Sequence, residues 1–286
     1  MGLFTKRTKA SGEPGYEAST AEEIDMLMRV GFDDIEIPFD PDGYFYGPVA
    51  QGLAIAAPMV YSNAAQWNSP TDVGALTEPA LWEGLTDTWG IPDAERWLEV
   101  VGRLVDCTYG DWIADHATVV RTRTKQRLDV PVLDDARWAQ ALAEEAQRVE
   151  AKPEYLTDLQ NRIPEIRKAE QILRDARLLG ADEEVQALGG YDLVRAGSVV
   201  RWGAAVGWGE PELVLRVALA SRDVAAQLYT SWRDYGLGMA AGKLVTYPST
   251  WGLDVAASIR WLRPFTDSPD SPWNHLPFPH PSDLED

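Results

Sequence analysis

Asp192 and Arg195 stand three residues apart in a segment of helical periodicity, so their side chains share a face and can pair. Arg201 follows six residues after Arg195, about a turn and a half further along such a helix. Trp202 adjoins it, and a second helical segment supplies Ser231, Trp232 and Lys243. Together these residues offer fixed cations beside hydroxyl and indole donors, the groups that bind an anion. Two readings stay open. In one, a polar pocket lies between the helices of residues 190–206 and 231–245 and serves an enzyme or a small-molecule binder. In the other, the ion pair is a structural bridge within a helical bundle and Ser231 only caps its helix.

Other constellations carry less. The histidines are His116, His275 and His280, and none has the spacing to a nucleophile or second ligand that a catalytic triad or metal site needs. No metal or cofactor is expected. His116, near Asp111 and Asp115 on a predicted helix, reads as a solvated histidine beside carboxylates. Asp33, Asp34, Glu36, Asp40 and Asp42 form an acidic stretch without the order of a calcium loop. Gly203, Gly207 and Gly209 lie between two helices, with no strand ahead of them to make a dinucleotide site. Arg121, Arg123, Lys125 and Arg127, spaced by two, would fan around a helix or line one face of a strand, and read as a solvated basic face in preference to a ligand site. Cys107 is the single cysteine, so no internal disulfide forms and a reducing cytoplasm is the simplest home.

The elements that must position these groups are almost all helices. Thr20-Ala-Glu-Glu23 has the form of a capping box and opens a helix that Gly31 closes. Ile35, Ile37 and Phe39 then alternate ahead of the turn Asp40-Pro41-Asp42-Gly43, which predicts a small irregular or β-hairpin insertion near residues 33–48. Further helices are predicted from Thr77 to Leu85, from Pro92 with Trp97, Leu98, Val101 and Leu104 as its core stripe, and from Asp134 or Asp135 to about Val149. Pro164 divides the pattern of residues 153–179 into two helices or one kinked helix. The segment Tyr191–Val206 carries a broad apolar band, so it sits centrally; helices from Glu210, from Ser231 and over Leu253–Leu262 follow. From Pro264 to Asp286 six prolines argue against regular structure, while Phe265, Trp273, Leu276 and Phe278 argue that this extended segment is pinned to the body. The expected layout is a flexible lead-in (1–18), one all-α domain (19–263) and a packed proline-rich tail (264–286).

Composition bounds the function. The chain has 286 residues, 45% of them hydrophobic, enough for a sizeable core. Its net charge is -19, a field that repels phosphate backbones and anionic lipid and favours basic protein partners. Nucleic-acid and membrane binding are therefore not expected. The longest apolar run, Leu53–Val60, is interrupted by Pro58 and too short to span a bilayer, and the first residues lack the apolar run of a secretory signal.

Four stretches also resemble a known family. Gly190-Tyr-Asp-Leu-Val-Arg195 followed by Arg201-Trp202-Gly203 resembles the WD-x-x-R and RWG block of a bacterial domain-of-unknown-function family, number twelve sixty-six, which includes YbeU-like and YbeR-like proteins. Tyr191 stands where that block usually has Trp. Ser231-Trp232-Arg-Asp-Tyr235 with Gly242-Lys243 is similar to the family's SWxxYxxGYxxGR block, with Met239 for the second tyrosine and Lys243 for the arginine. Trp89-Gly90-Ile91 and Ser271-Pro272-Trp273 are similar to its WGI and SPW elements. The blocks concentrate in residues 82–105 and 189–246. The resemblance implies an all-helical bacterial protein; through the association of such domains with interbacterial conflict it implies a partner-binding role, and it implies no catalytic activity. With the charge, this leads to the expectation of a cytoplasmic interaction module, of the immunity or adaptor kind, whose acidic surface meets a more basic protein. The alternative is an enzyme or small-molecule binder using the pocket described above. Tryptophans left exposed would be anchors for the partner.

Overall fold

The computed structural model describes residues 35–247 and 260–284. The helix expected from Thr20, the lead-in and the start of the helix expected at Leu253 lie outside the described residues. Among the described residues the regular structure is entirely helical, with no strand. The main helices are α1 (Gly47–Tyr61), α2 (Glu78–Glu83), α3 (Ala94–Val105), α4 (Trp112–Leu128), α5 (Asp135–Arg148), α6 (Pro153–Asn161), α7 (Ile163–Asp175), α8 (Gly190–Ala205), α9 (Pro211–Leu228), α10 (Trp232–Thr246) and the short α11 (Pro272–His275).

Helix α8 is the axis of the fold. Every residue from Gly190 to Gly203 is buried, polar ones included, because α1, α3, α9 and α10 pack around it. Its apolar residues fall on every side of the helix, which leaves no wholly polar face to turn to water, so such a helix must be wrapped. Small residues set the wrapping distance. A side chain on Gly197 would come within 2.2 Å of the Ala56 methyl on α1, and one on Gly52 would meet the Ala218 carbonyl of α9 at 2.3 Å. Those two positions hold α1 against both neighbours at backbone contact.

The outer helices are amphipathic and capped. Asp93, Asp111, Asp134 and Ser231 each accept a hydrogen bond from the backbone N–H three residues on, which satisfies an otherwise orphaned donor at the start of α3, α4, α5 and α10. In α3 the buried positions are Trp97, Val100, Val101 and Leu104; Leu98, expected in that stripe, is half exposed. The 3.6-residue period explains this, since the residue after Trp97 lies about 100° away from it. The predicted division at Pro164 falls at Arg162, and Pro164 occupies the first turn of α7, where its missing N–H costs nothing.

Of the two forms expected near residues 33–48, the described residues 35–46 take the irregular one and not the hairpin. The polar backbone groups of this loop pair with residues 66–68 instead of with a second strand: Asp40 N–H donates to Asn68 Oδ1 (2.7 Å), Asn68 Nδ2 donates to Asp40 O (2.9 Å), and Tyr44 N–H donates to Asn68 O (3.2 Å). The proline-rich tail is also not wholly extended. Residues 260–267 are helical with Pro264 among them, and α11 and a 3-10 turn (Pro281–Leu284) follow. Phe265, Trp273 and Leu276 are buried, and the Trp273 indole donates to Ala54 O of α1 at 2.9 Å.

Candidate functional site

The sequence-predicted residues fall into separate groups. Asp192 and Arg195 do pair, both buried, in the first turns of α8. Asp192 Oδ2 also accepts from the N–H groups of Tyr109 (3.0 Å) and Gly110 (2.9 Å), which clamps the loop before α4 onto α8. Arg195 Nε donates to Tyr191 O (3.1 Å), and its guanidinium lies 4.1 Å from the Tyr191 ring centre, 5.2 Å from that of Tyr109 and 5.6 Å from that of Trp89. An aromatic cage of this kind stabilises a desolvated cation.

Arg201 points elsewhere. It donates to the carbonyls of Gly197 (2.7 Å), Ser69 (3.2 Å) and Trp67 (3.3 Å), tying the 67–69 loop to α8. Burial lowers its pKa to about 10, and Asp72 offsets part of that. Trp202 is buried against Trp89. Ser231 caps α10, while Trp232 stacks on Trp273 (5.5 Å, 9° between planes) and donates to Leu276 O (2.8 Å), so Trp232 holds the C-terminal segment. Lys243 is buried with its Nζ 4.2 Å from the Trp261 ring centre.

A crevice does lie between α8 and α10, lined by Cys107, Gly110, Asp115, Asp192, Gly242 and Thr246. Its volume is about 10 Å³, room for one water molecule and not for a metabolite. Asp115 accepts from Leu188 N–H (2.5 Å) and Gly189 N–H (2.9 Å) and so caps the start of α8. Burial raises its pKa to about 6 despite those two donors, and Asp192 adds to the rise. Burial also pushes the Cys107 thiol well up, which keeps it protonated and unreactive.

Two clusters escaped the sequence reading. Arg121, grouped there with a solvated basic face, is fully buried; Arg123 and Arg127 are exposed, as residues of the opposite stripe of α4 must be. Arg121 pairs with Glu170 (2.6 Å) and Glu184 (3.6 Å), and Lys125 with Glu184 (2.8 Å). Arg167 bonds Glu184, Glu170 and Asp135, and both arginines lie against the Trp138 ring. Burial would raise the Glu184 pKa, but Arg121, Lys125 and Arg167 outweigh it and hold it below the usual glutamate range. At the outer edge is an open cleft of about 200 Å³, whose Lys125 and Arg233 are paired with its own Glu184 and Glu183.

The second cluster joins α4, α5 and α6. His116 Nδ1 bonds the Tyr155 hydroxyl and Nε2 bonds Glu145 (3.3 Å), with Trp112 stacked on Tyr155. Burial and Glu145 raise the Tyr155 pKa, so the phenol stays a proton donor. The neighbours of His116 come from other helices, so spacing along the chain gave no signal for them. Among the described residues no group of three His, Cys, Asp or Glu could hold a metal ion, and no helix is long and apolar enough to cross a membrane.

The architecture is that of an all-α protein wound around one buried helix, with its polar interior committed to holding loops in place. Residues 84–278 match the family described as protein of unknown function (DUF1266), and the chain belongs to that family. No curated protein and no solved structure matches it.

Proposed function

We propose that the chain is a bacterial, cytoplasmic protein-interaction module, of the adaptor or immunity kind, that engages a more basic protein partner through its acidic surface. One observation carries this reading: the reactive-looking groups Asp192, Arg195 and Arg201 are buried and bonded to the chain itself, and the crevice that Asp192 lines has room for a single water. The chain as a whole carries a net charge of -19. Such a field accelerates encounter with a cationic surface and gives binding that weakens with salt. The test is isolation of the native complex from the source cells and its reconstitution from purified components. A stoichiometric complex that dissociates as salt rises from about 0.1 to 0.5 M supports the reading. Turnover of a metabolite by the pure chain, lost in Arg195→Met, would put the enzyme first.

A further inference from the structure

No Lys or Arg occurs between Arg29 and Arg96, a stretch that holds eleven Asp and Glu residues. Among the described residues none of those carboxylates forms an ion pair with a side chain elsewhere in the fold. Within this stretch three aromatic side chains of the 35–46 loop are turned to solvent: Phe39 is 50% exposed, Tyr44 41% and Tyr46 85%. Between the two exposed tyrosines Phe45 packs inward, edge-on to Trp67 (6.3 Å). Phe39 meets the partly buried Phe45 edge-on at 5.8 Å, so its ring is footed on the same side chain that anchors the loop.

Large exposed aromatic side chains are costly to leave in water unless something covers them. This loop is also held in place in advance. The fully buried Asn68 bonds it on both sides of Asp40, Gln66 Nε2 donates to Phe39 O (3.2 Å), and Trp67 N–H donates to Pro38 O (3.1 Å). A binding surface already in its bound shape loses little entropy on association. We infer that the Phe39, Tyr44 and Tyr46 face is the docking surface for an arginine-rich segment of a partner protein. Guanidinium groups stack on the rings while Glu36 and Asp42, both exposed, receive their N–H donors. A second copy of the chain is a poor occupant, because it brings a charge of -19 to a loop that itself contains no Lys or Arg. The surface lies outside residues 84–278, so the shared family region does not include it.

This inference rests on the interaction-module reading and specifies its surface. Its test is fluorescence anisotropy of the full chain with labelled octa-arginine and octa-lysine peptides at two salt concentrations. The expectation is several-fold tighter binding of octa-arginine, and a loss of about ten-fold in the F39A/Y44A/Y46A variant with an unchanged melting temperature. Tyr46→Ala, at the most exposed position, repeats the test should the triple variant unfold, with a loss of several-fold expected. If wild type binds octa-arginine and both variants bind it equally well, the loop is not the surface and the broader acidic-module reading survives. If wild type binds neither peptide, both fall.

Discussion

Residues 36–95 and residues 121–184 handle charge in opposite ways. In the second region Arg121, Lys125 and Arg167 meet Glu170 and Glu184 in a buried network, and each charge has a partner of the opposite sign. In the first, the carboxylates form no direct ion pair with a side chain elsewhere in the fold, and several lie in the same loop as the exposed rings. Buried charges must be paired or fully hydrogen-bonded, as Arg201 is by three carbonyls; exposed ones can stay unpaired because water solvates them. The contrast separates charge that holds the fold from charge available to a partner.

The comparison is most sharply broken inside the network. Glu170→Ala leaves Arg121 buried with one distant carboxylate and should cost about 3–5 kcal/mol in urea unfolding. The double change R121M/E170L should recover at least half of that loss, since it removes both charges together. No recovery would mean that packing, not charge pairing, dominates there. Next comes the clamp on α8. Asp192→Ala strands Arg195 and the two N–H groups of residues 109 and 110, and should cost about 3 kcal/mol by the same measurement. A loss under about 1 kcal/mol would count against a structural role for the pair.

Asp115 gives a smaller effect with a defined sign. Its folded pKa of about 6 lies above the ordinary aspartate value, so its contribution is fully present below about pH 4 and lost as pH rises through 6. Because the residue keeps partial exposure at the crevice, about 1–2 kcal/mol is expected, less than burial alone would give. Asp115→Asn should flatten stability between pH 4.5 and 7.5 relative to wild type; parallel curves would refute this. Glu184 runs the other way: its pKa is lowered, so its share is present above the ordinary glutamate value and is lost as pH falls through the folded one. The smallest effect belongs to the acidic region. Glu36→Gln and Asp42→Asn should change stability by no more than about 0.5 kcal/mol. A larger loss would show that these carboxylates hold the loop.

Much of the helical order was legible. Pro211 opening α9, Ser231 capping α10 and the break before Pro164 follow from local rules that depend on a few neighbouring residues. The family blocks were legible for a similar reason, being short patterns in fixed order. The fate of Arg201 was not, because its acceptors are carbonyls of residues 67 and 69, more than a hundred positions away in the chain. Arg121 was misread since a spacing of two looks uniform in sequence, whereas a helix sends alternate members to opposite sides. The His116, Tyr155 and Glu145 chain draws on three helices and leaves no spacing signature at all.

By itself, the order of residues determined which segments coil, where several of them start, and how much negative charge the molecule carries. These depend on backbone geometry over a turn or two and on composition. Only the tertiary packing decided which charges are buried with partners, that the crevice between α8 and α10 has room for a single water, and that Phe39, Tyr44 and Tyr46 face solvent. Burial is a property of what lies across the interface, and that neighbour is set by long-range contacts that no local pattern encodes.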